Sequence, residues 1–346
     1  MKNQRIARFV AGLSLLAMAS SPSAFAALSV ASATSGSASG ATSAAQQLVD
    51  LLIPNTSSIV VSSGTQSIGN SKWSSGDAVQ SAIGTFAGGS SANDLPFASG
   101  VVLSTGRLTQ TFTDPNDDNY NPSDAGVLGP NDYFRSSHVW GDGPLRRSTT
   151  LENALGLSGI TQRTSDTASL SFQFSSHTAN SVSFQYMFAS EEYAENINQV
   201  ANDAFVFLLK DITAGGAAVN LALIGGQPVS VNTINNGPSE TGPSVNGAYY
   251  NSNPVNSNNY ILQFDGVAGG YDATKLYATH SIIPDHVYQI DMILSDVGDQ
   301  SVDSSVFIGA GTFTDTPPPS GVPEPSTYVG ALALAGLVVR KLRRKA

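Results

Sequence analysis

The chain contains no cysteine. No disulfide can staple it, so an exported form must hold its fold by its core alone. Charge is scarce as well: Lys, Arg, Asp and Glu make up 12% of the 346 residues. The shortage falls on the basic side. Eight of the 16 basic residues sit at the ends, Lys2, Arg5 and Arg8 at one and Arg340, Lys341, Arg343, Arg344 and Lys345 at the other. All 26 acidic residues lie between them, so the interior sets 26 acids against eight bases and carries a formal charge of −18. Such a surface repels nucleic acid, which is excluded as a partner, and attracts cations. Histidine is rare too, and His138, His177, His280 and His286 show no HExxH spacing. No G-x-S-x-G elbow, P-loop or dinucleotide-binding glycine pattern falls at a strand-to-helix junction. Nucleophilic catalysis and nucleotide binding are therefore without support.

Helical periodicity is also nearly absent. One short helix is expected over residues 44–53, with Leu48, Leu51 and Leu52 on one side and Pro54 as the stop. After it the apolar pattern has a period of two. Val182, Phe184, Tyr186 and Phe188 alternate with Ser183 and Gln185, which puts one set of side chains on one face of a sheet. Residues 204–209 form a short apolar run suited to a buried strand. Further strands are expected at 58–61, 99–104, 168–175, 219–224, 229–231, 260–264, 275–283, 286–294 and 305–313. Residues 113–144 and 235–258 are long polar excursions rich in turn formers. Eight to eleven short strands spaced by turns predict an all-β, antiparallel, jelly-roll-like sandwich with one N-terminal helix.

The ends read differently. Residues 1–26 have the charged, apolar and small-residue parts of a secretory signal peptide, with cleavage expected after Ala26. Residues 27–43 are mostly Ser, Ala, Gly and Thr, a flexible leader. At the other end a Pro-rich spacer (316–321) precedes Pro323, Glu324 and Pro325, an apolar run over 327–339 and a basic tail. As a helix that run reaches roughly 20 Å, short of the ~30 Å hydrocarbon thickness. The basic tail is expected to stay cytoplasmic and to leave the body outside.

The three-part tail, together with the signal peptide, resembles the PEP-CTERM sorting signal. That resemblance implies a Gram-negative bacterium and processing by signal peptidase and by an exosortase, a membrane-embedded protease or transpeptidase. It also implies a transient anchor in the inner membrane, a final place at the cell surface or in the extracellular matrix, and extracellular polysaccharide as a partner. Four further stretches resemble the choice-of-anchor L domain: Ser99-Gly-Val-Val-Leu-Ser-Thr-Gly106, Phe184-Gln-Tyr-Met-Phe-Ala-Ser-Glu-Glu-Tyr193, Asn202-Asp-Ala-Phe-Val-Phe207, and the segment from Asp296 to Ile308. This second resemblance implies a surface domain over roughly residues 46–314, and no particular molecular activity. The chain thus divides into signal peptide (1–26), leader (27–43), sandwich (44–315), spacer (316–321) and sorting segment (322–346).

Two acidic loops carry the candidate chemistry. One holds Glu191 and Glu192 with Asp203 downstream; the other holds Asp296, Asp299 and Asp303. Hard cations such as Ca2+ take six to eight oxygen ligands, which clustered Asp and Glu can supply. If the strands ending at Ala189 and Leu294 are neighbours, the two loops meet at one end of the sandwich. The six carboxylates then form a structural Ca2+ site, the only cofactor expected. Asp and Gly also populate turns for backbone reasons, so the same residues can be plain turn formers. A stretch from Asp114 to Asn119 spaces oxygens like a Ca2+ loop, but Asn119 and Ala125 stand where an EF-hand needs Gly and Glu. Paired carboxylates also admit a polysaccharide hydrolase, which needs two of them about 5 to 10 Å apart across a cleft. Aromatics in the polar excursions (Tyr120, Tyr133, Trp140, Tyr249 and Tyr250) admit two readings: exposed rings that stack on sugar faces, as in a carbohydrate-binding module, or rings that pin these loops to the sandwich. The leading expectation is a non-enzymatic structural or adhesive surface protein.

Overall fold

The period-two runs fold as antiparallel strands, and a shared apolar face packs them into a sandwich. The computed structural model describes residues 29–32, 44–69, 82–91, 94–106, 147–158, 162–194, 196–199, 202–253, 262, 264–298 and 303–318. The signal peptide, the spacer beyond residue 318, the sorting segment and the loop at 113–144 lie outside the described residues. Among the described residues no helix is long and apolar enough to cross a membrane.

In chain order the elements begin with β1 (Ser29–Ser32), α1 (Ala44–Leu52), β2 (Val60–Val61), β3 (Ser67–Gly69), β4 (Ile83–Ala87), β5 (Ser99–Ser104) and α2 (Thr149–Leu155). Then come β6 (Thr164–Ser175), β7 (Ser181–Ser190), β8 (Ala204–Asp211), β9 (Val219–Asn220), β10 (Leu223–Ile224) and β11 (Gln227–Pro228). The rest are β12 (Tyr250–Ser252), β13 (Gly266–Ala268), β14 (Leu276–Ser281), β15 (Val287–Val297) and β16 (Ser304–Gly309). An eight-stranded sheet runs β1-β4-β5-β16-β7-β13-β12, with β14 also on β7. A six-stranded sheet runs β2-β6-β15-β8-β9, with β3 also on β6. Strands β10 and β11 form a separate hairpin. The long strands β6, β7 and β8 alternate between the sheets, as do β14, β15 and β16.

The core lies between the sheets. From β7, Phe184 meets Phe207 of β8 with ring centroids 4.9 Å apart, and Phe188 meets Phe205 at 5.2 Å. Phe313 closes the stack against Phe172, Phe174 and Phe184 at 5.2 to 5.3 Å. Each such ring contributes roughly 1.5–3 kcal/mol by leaving water. A second cluster, with Met187, Phe264, Val267 and Phe307, covers the outer face of the larger sheet. That covering is why Met187 and Ala189 are buried alongside Phe184, Tyr186 and Phe188, instead of facing solvent.

Helix α1 stands where it was expected and buries Ala45, Leu48, Val49 and Leu52. Two expectations need correction. A second helix exists: α2 starts at Ser148, whose side chain accepts from Leu151 N, and ends at Gly156 in the left-handed region (φ 68°). It lays Leu151 on Val206, Leu208 and Ile293 of the smaller sheet. And Ser29–Ser32, assigned to the flexible leader, pairs with β4 from Ser29↔Ala87 to Ser32↔Gly84.

Candidate functional site

The inward face of the core changes character at one end of the six central strands. Along β6 the inward positions read Phe174, Phe172, Leu170, Ala168 and then Asp166. On β15 they read Ile290, Met292, Leu294 and then Asp296. Into β8 the order is Asp203, Phe205, Phe207; out of β7 it is Tyr186, Phe188, Ser190, Glu192. On β5, Val101 and Leu103 lead to Thr105, and on β16, Ile308 and Val306 lead back to Ser304. The registers bring these ends together: Asp296 opposite Ser165, Ser295 opposite Ala204, Ser304 opposite Ser190, and Ser305 opposite Ser104. The period that builds the apolar core therefore delivers acids and hydroxyls to one end of it.

These groups are buried. Exposure is 0% for Glu192, Asp203, Asp296 and Asp303, 4% for Glu191 and 8% for Asp166. Backbone donors orient several of them. Asp203 N donates to Glu192 Oε2 at 2.7 Å, which joins the two sheets. Val297 N donates to Asp203 Oδ1 at 3.2 Å, and Asp303 N to Glu191 Oε2 at 3.2 Å. The Thr105 hydroxyl lies 3.5 Å from Asp303 Oδ1 and accepts from Ser304 N at 3.0 Å.

Asp296 is different. Neither of its carboxylate oxygens makes a hydrogen bond. Burial, and after it the negative charges of Asp203, Asp166 and Asp303, hold its carboxyl well above the usual range. The nearby Thr105 hydroxyl eases this only in part. A buried carboxylate without a donor costs several kcal/mol unless it takes a proton or a cation.

Two other buried carboxylates show the alternative. Glu152 accepts Arg147 Nε and Nη2 at 2.6 Å each and Thr164 N at 2.9 Å. The Arg147 hydrogen bonds lead in holding its pKa down at about 2. Asp94, 0% exposed, accepts Asn251 Nδ2 at 3.0 and 2.9 Å and Tyr271 N at 2.6 Å. Gly270 sits so close that a Cβ there would fall 2.2 Å from Asp94 Oδ2, so only glycine fits.

Of the six expected ligands, the structure brings Glu191, Glu192, Asp203, Asp296 and Asp303 to one end; Asp299 lies outside the described residues. The two loops meet in both ways: Asp303 lies beside Glu191 along the larger sheet, where β16 pairs with β7, while Asp296 lies across the gap on β15 of the smaller sheet. Asp166 and Thr105 were missed. Asp166 has φ 46°, where a side-chain-bearing residue is strained, beside a register shift between Leu294 and Asp296. Bulges of this kind re-aim side chains next to functional sites. Among the described residues, no three acidic or histidine side chains already stand as a metal cage.

The sugar-stacking reading of the aromatics is corrected where it can be seen. Tyr249 and Tyr250 are 8% and 5% exposed. Tyr250 packs against Tyr193 at 4.8 Å and donates to Glu240 Oε1 at 2.5 Å, so neither ring is free to stack on a sugar. Tyr120, Tyr133 and Trp140 lie outside the described residues.

Comparison with known proteins adds one finding. The family model described as the choice-of-anchor L domain matches residues 37–314, most of the chain. No curated protein and no solved structure matches.

Proposed function

We propose, from the premise that the chain belongs to the choice-of-anchor L family, how an exported or surface-anchored protein of this kind works. It acts outside the cell as a non-enzymatic structural or adhesive module of the surface or matrix, and Ca2+ stabilises its fold at the acidic end. The observation that carries the calcium reading is Asp296: wholly buried, without a hydrogen bond, and facing three other carboxylates. Every polar side chain named at that end offers oxygen, the ligand that Ca2+ prefers, and none offers sulfur.

The hydrolase reading has less behind it. Glu192 and Asp203 would have to reach a sugar, yet both are 0% exposed and Glu192 receives the Asp203 backbone N–H. One observation favours glycan contact elsewhere. A groove of about 350 Å3 on the outer face of the smaller sheet is lined by Arg147, Ser148, Thr167, Ser171 and Asp291 among others. Such a row of hydroxyls and charges suits a polyol.

Sorting follows from Pro323, Glu324, Pro325 and the basic tail, which fit an exosortase substrate held briefly in the inner membrane. Deleting residues 322–346 should leave the protein unsorted in cell fractionation; normal surface delivery would overturn that part. The calcium reading is tested by thermal unfolding of the purified protein with Ca2+ and with chelator. An ion that binds only the folded state adds ~2.7 kcal/mol at a hundredfold over its Kd. For a domain of this size that is about 5–10 °C. An unchanged midpoint would make these carboxylates structural residues that take protons.

A further inference from the structure

The acidic groups are divided between the sheets. Thr105, Glu192 and Asp303 follow or precede strands of the larger sheet; Asp166 and Asp296 lie in strands of the smaller one, and Asp203 immediately precedes another of its strands. Elsewhere the gap between the sheets is filled by rings in contact, Phe184 on Phe207 and Tyr186 on Phe205 among them. At the acidic end the groups that face each other across the gap include carboxylates, and Asp303 of one sheet raises the cost of charging Asp296 of the other. The far end is closed through hydroxyl contacts with Asp315: Ser58 Oγ, beside β2 of the smaller sheet, donates to Asp315 Oδ2 at 2.5 Å, and Ser181 Oγ of β7 in the larger sheet donates to Asp315 O at 3.1 Å. One end of the sandwich is therefore held by its own contacts. The other has the Asp203 N–Glu192 Oε2 hydrogen bond between the sheets, and also carboxylates set against one another across the gap.

We propose that a divalent cation bound at Asp296 is an inter-sheet latch, with Asp166, Asp203 and Asp296 as ligands from the smaller sheet and Asp303 and Glu192, helped by Thr105, from the larger. This rests on the calcium reading above and adds what the ion controls. With the ion bound, the acidic end is locked. Without it, that end opens locally while the aromatic middle and the far end stay packed. Local opening of one cooperative unit below the global stability is an ordinary property of folded chains. The ligand is a hard, oxygen-seeking dication. Ca2+ is favoured over Mg2+ because ligands spread over several strand ends suit an irregular, many-oxygen shell better than a strict octahedron. Extracellular Ca2+ modules work at dissociation constants of about 10⁻⁴–10⁻³ M, so such a latch closes in a calcium-rich medium and stays open where calcium is scarce.

The test is backbone hydrogen exchange of the purified full chain in chelator, in CaCl2 and in MgCl2, with calorimetry on the same samples. Calcium should slow exchange roughly tenfold or more at residues 190–194 and 303–306 of one sheet and at 202–206 and 294–298 of the other. Residues 174–183 and 285–289, at the far end, should not change. Asp166→Asn should reduce the protection on both sheets. Asp296→Asn, which removes like charge and so should still fold, should abolish it. Protection spread evenly over the whole protein would overturn the latch and leave the cation reading standing. Protection confined to one sheet would do the same. Absence of both calorimetric binding and protection would remove the cation reading itself.

Discussion

The two ends of the sandwich treat a carboxylate in opposite ways. At the far end Asp315 accepts from Ser58 N at 3.1 Å, from Ser58 Oγ at 2.5 Å and from Thr314 Oγ1 at 3.2 Å. Those bonds, the Ser58 hydroxyl first, hold its carboxyl below the usual range. At the acidic end burial first, and then the neighbouring carboxylates, push the Asp296 carboxyl up, with only the Thr105 hydroxyl against them. The same fold thus serves the carboxylate with donors at one end and sets carboxylates against one another at the other. Asp94 is just as unexposed, and burial raises its carboxyl too, but there the Asn251 amide and the backbone N–H groups of Tyr271 and Asp272 pull it back down.

Several measurements would break or sharpen this contrast. The largest effect is expected for Asp296→Asn. It should erase the ~2.7 kcal/mol calcium gain and, in chelator, raise the unfolding midpoint above the parent, because one buried like charge is gone. A fall in chelator would mean that Asp296 is stabilised by partners of its own. Next comes the pH dependence of the ion-free protein. Asp296 has a raised folded pKa, so its contribution is present below about pH 4 and is lost as pH rises through the raised value. Asp315 has a lowered one, so its contribution is present above about pH 4 and is lost as pH falls through the lowered value. Midpoints recorded from pH 3 to 8 should therefore fall on both sides, with the neutral-side fall removed by Asp296→Asn or by Ca2+. A smaller effect is expected at the far end. Asp315→Ala should cost about 1–2 kcal/mol, the scale of lost hydrogen bonds to a partly buried carboxylate, whether or not calcium is present. The least is expected of His177→Ala. Its pair with Asp285 is exposed on both sides, 85% and 70%, and no measurable change in midpoint should follow.

Much of this contrast was legible in the sequence, for physical reasons that can be named. Glu191, Glu192, Asp203, Asp296 and Asp303 stand next to strong alternating runs, so their place at strand ends could be read directly. Asp166 could not, because Ser165 and Asp166 read as turn formers ahead of a strand starting at 168; only the bulge opposite Asp296 shows why a strained Asp belongs there. Thr105 carries no charge and gave no signal. Helix α2 has seven residues, too few for a period to show. Strands β12 and β13 have three residues each and owe their pairing to β7 rather than to any local pattern. Tyr249 and Tyr250 could be read as exposed because their neighbours are polar, and it is the distant Tyr193 that buries Tyr250.

Strand β1 carries a consequence for handling the protein. Residues 29–32 are the outermost strand of the larger sheet, laid along β4 through four paired positions. A chain begun at residue 44, at the first helix, would strip that strand away and leave the backbone donors and acceptors of Ile83–Ala87 open along a sheet edge. Open edges recruit other strands, so the shortened chain would tend to pair with copies of itself and precipitate. Residues 29–32, plain as their composition is, cover the β4 edge of the larger sheet.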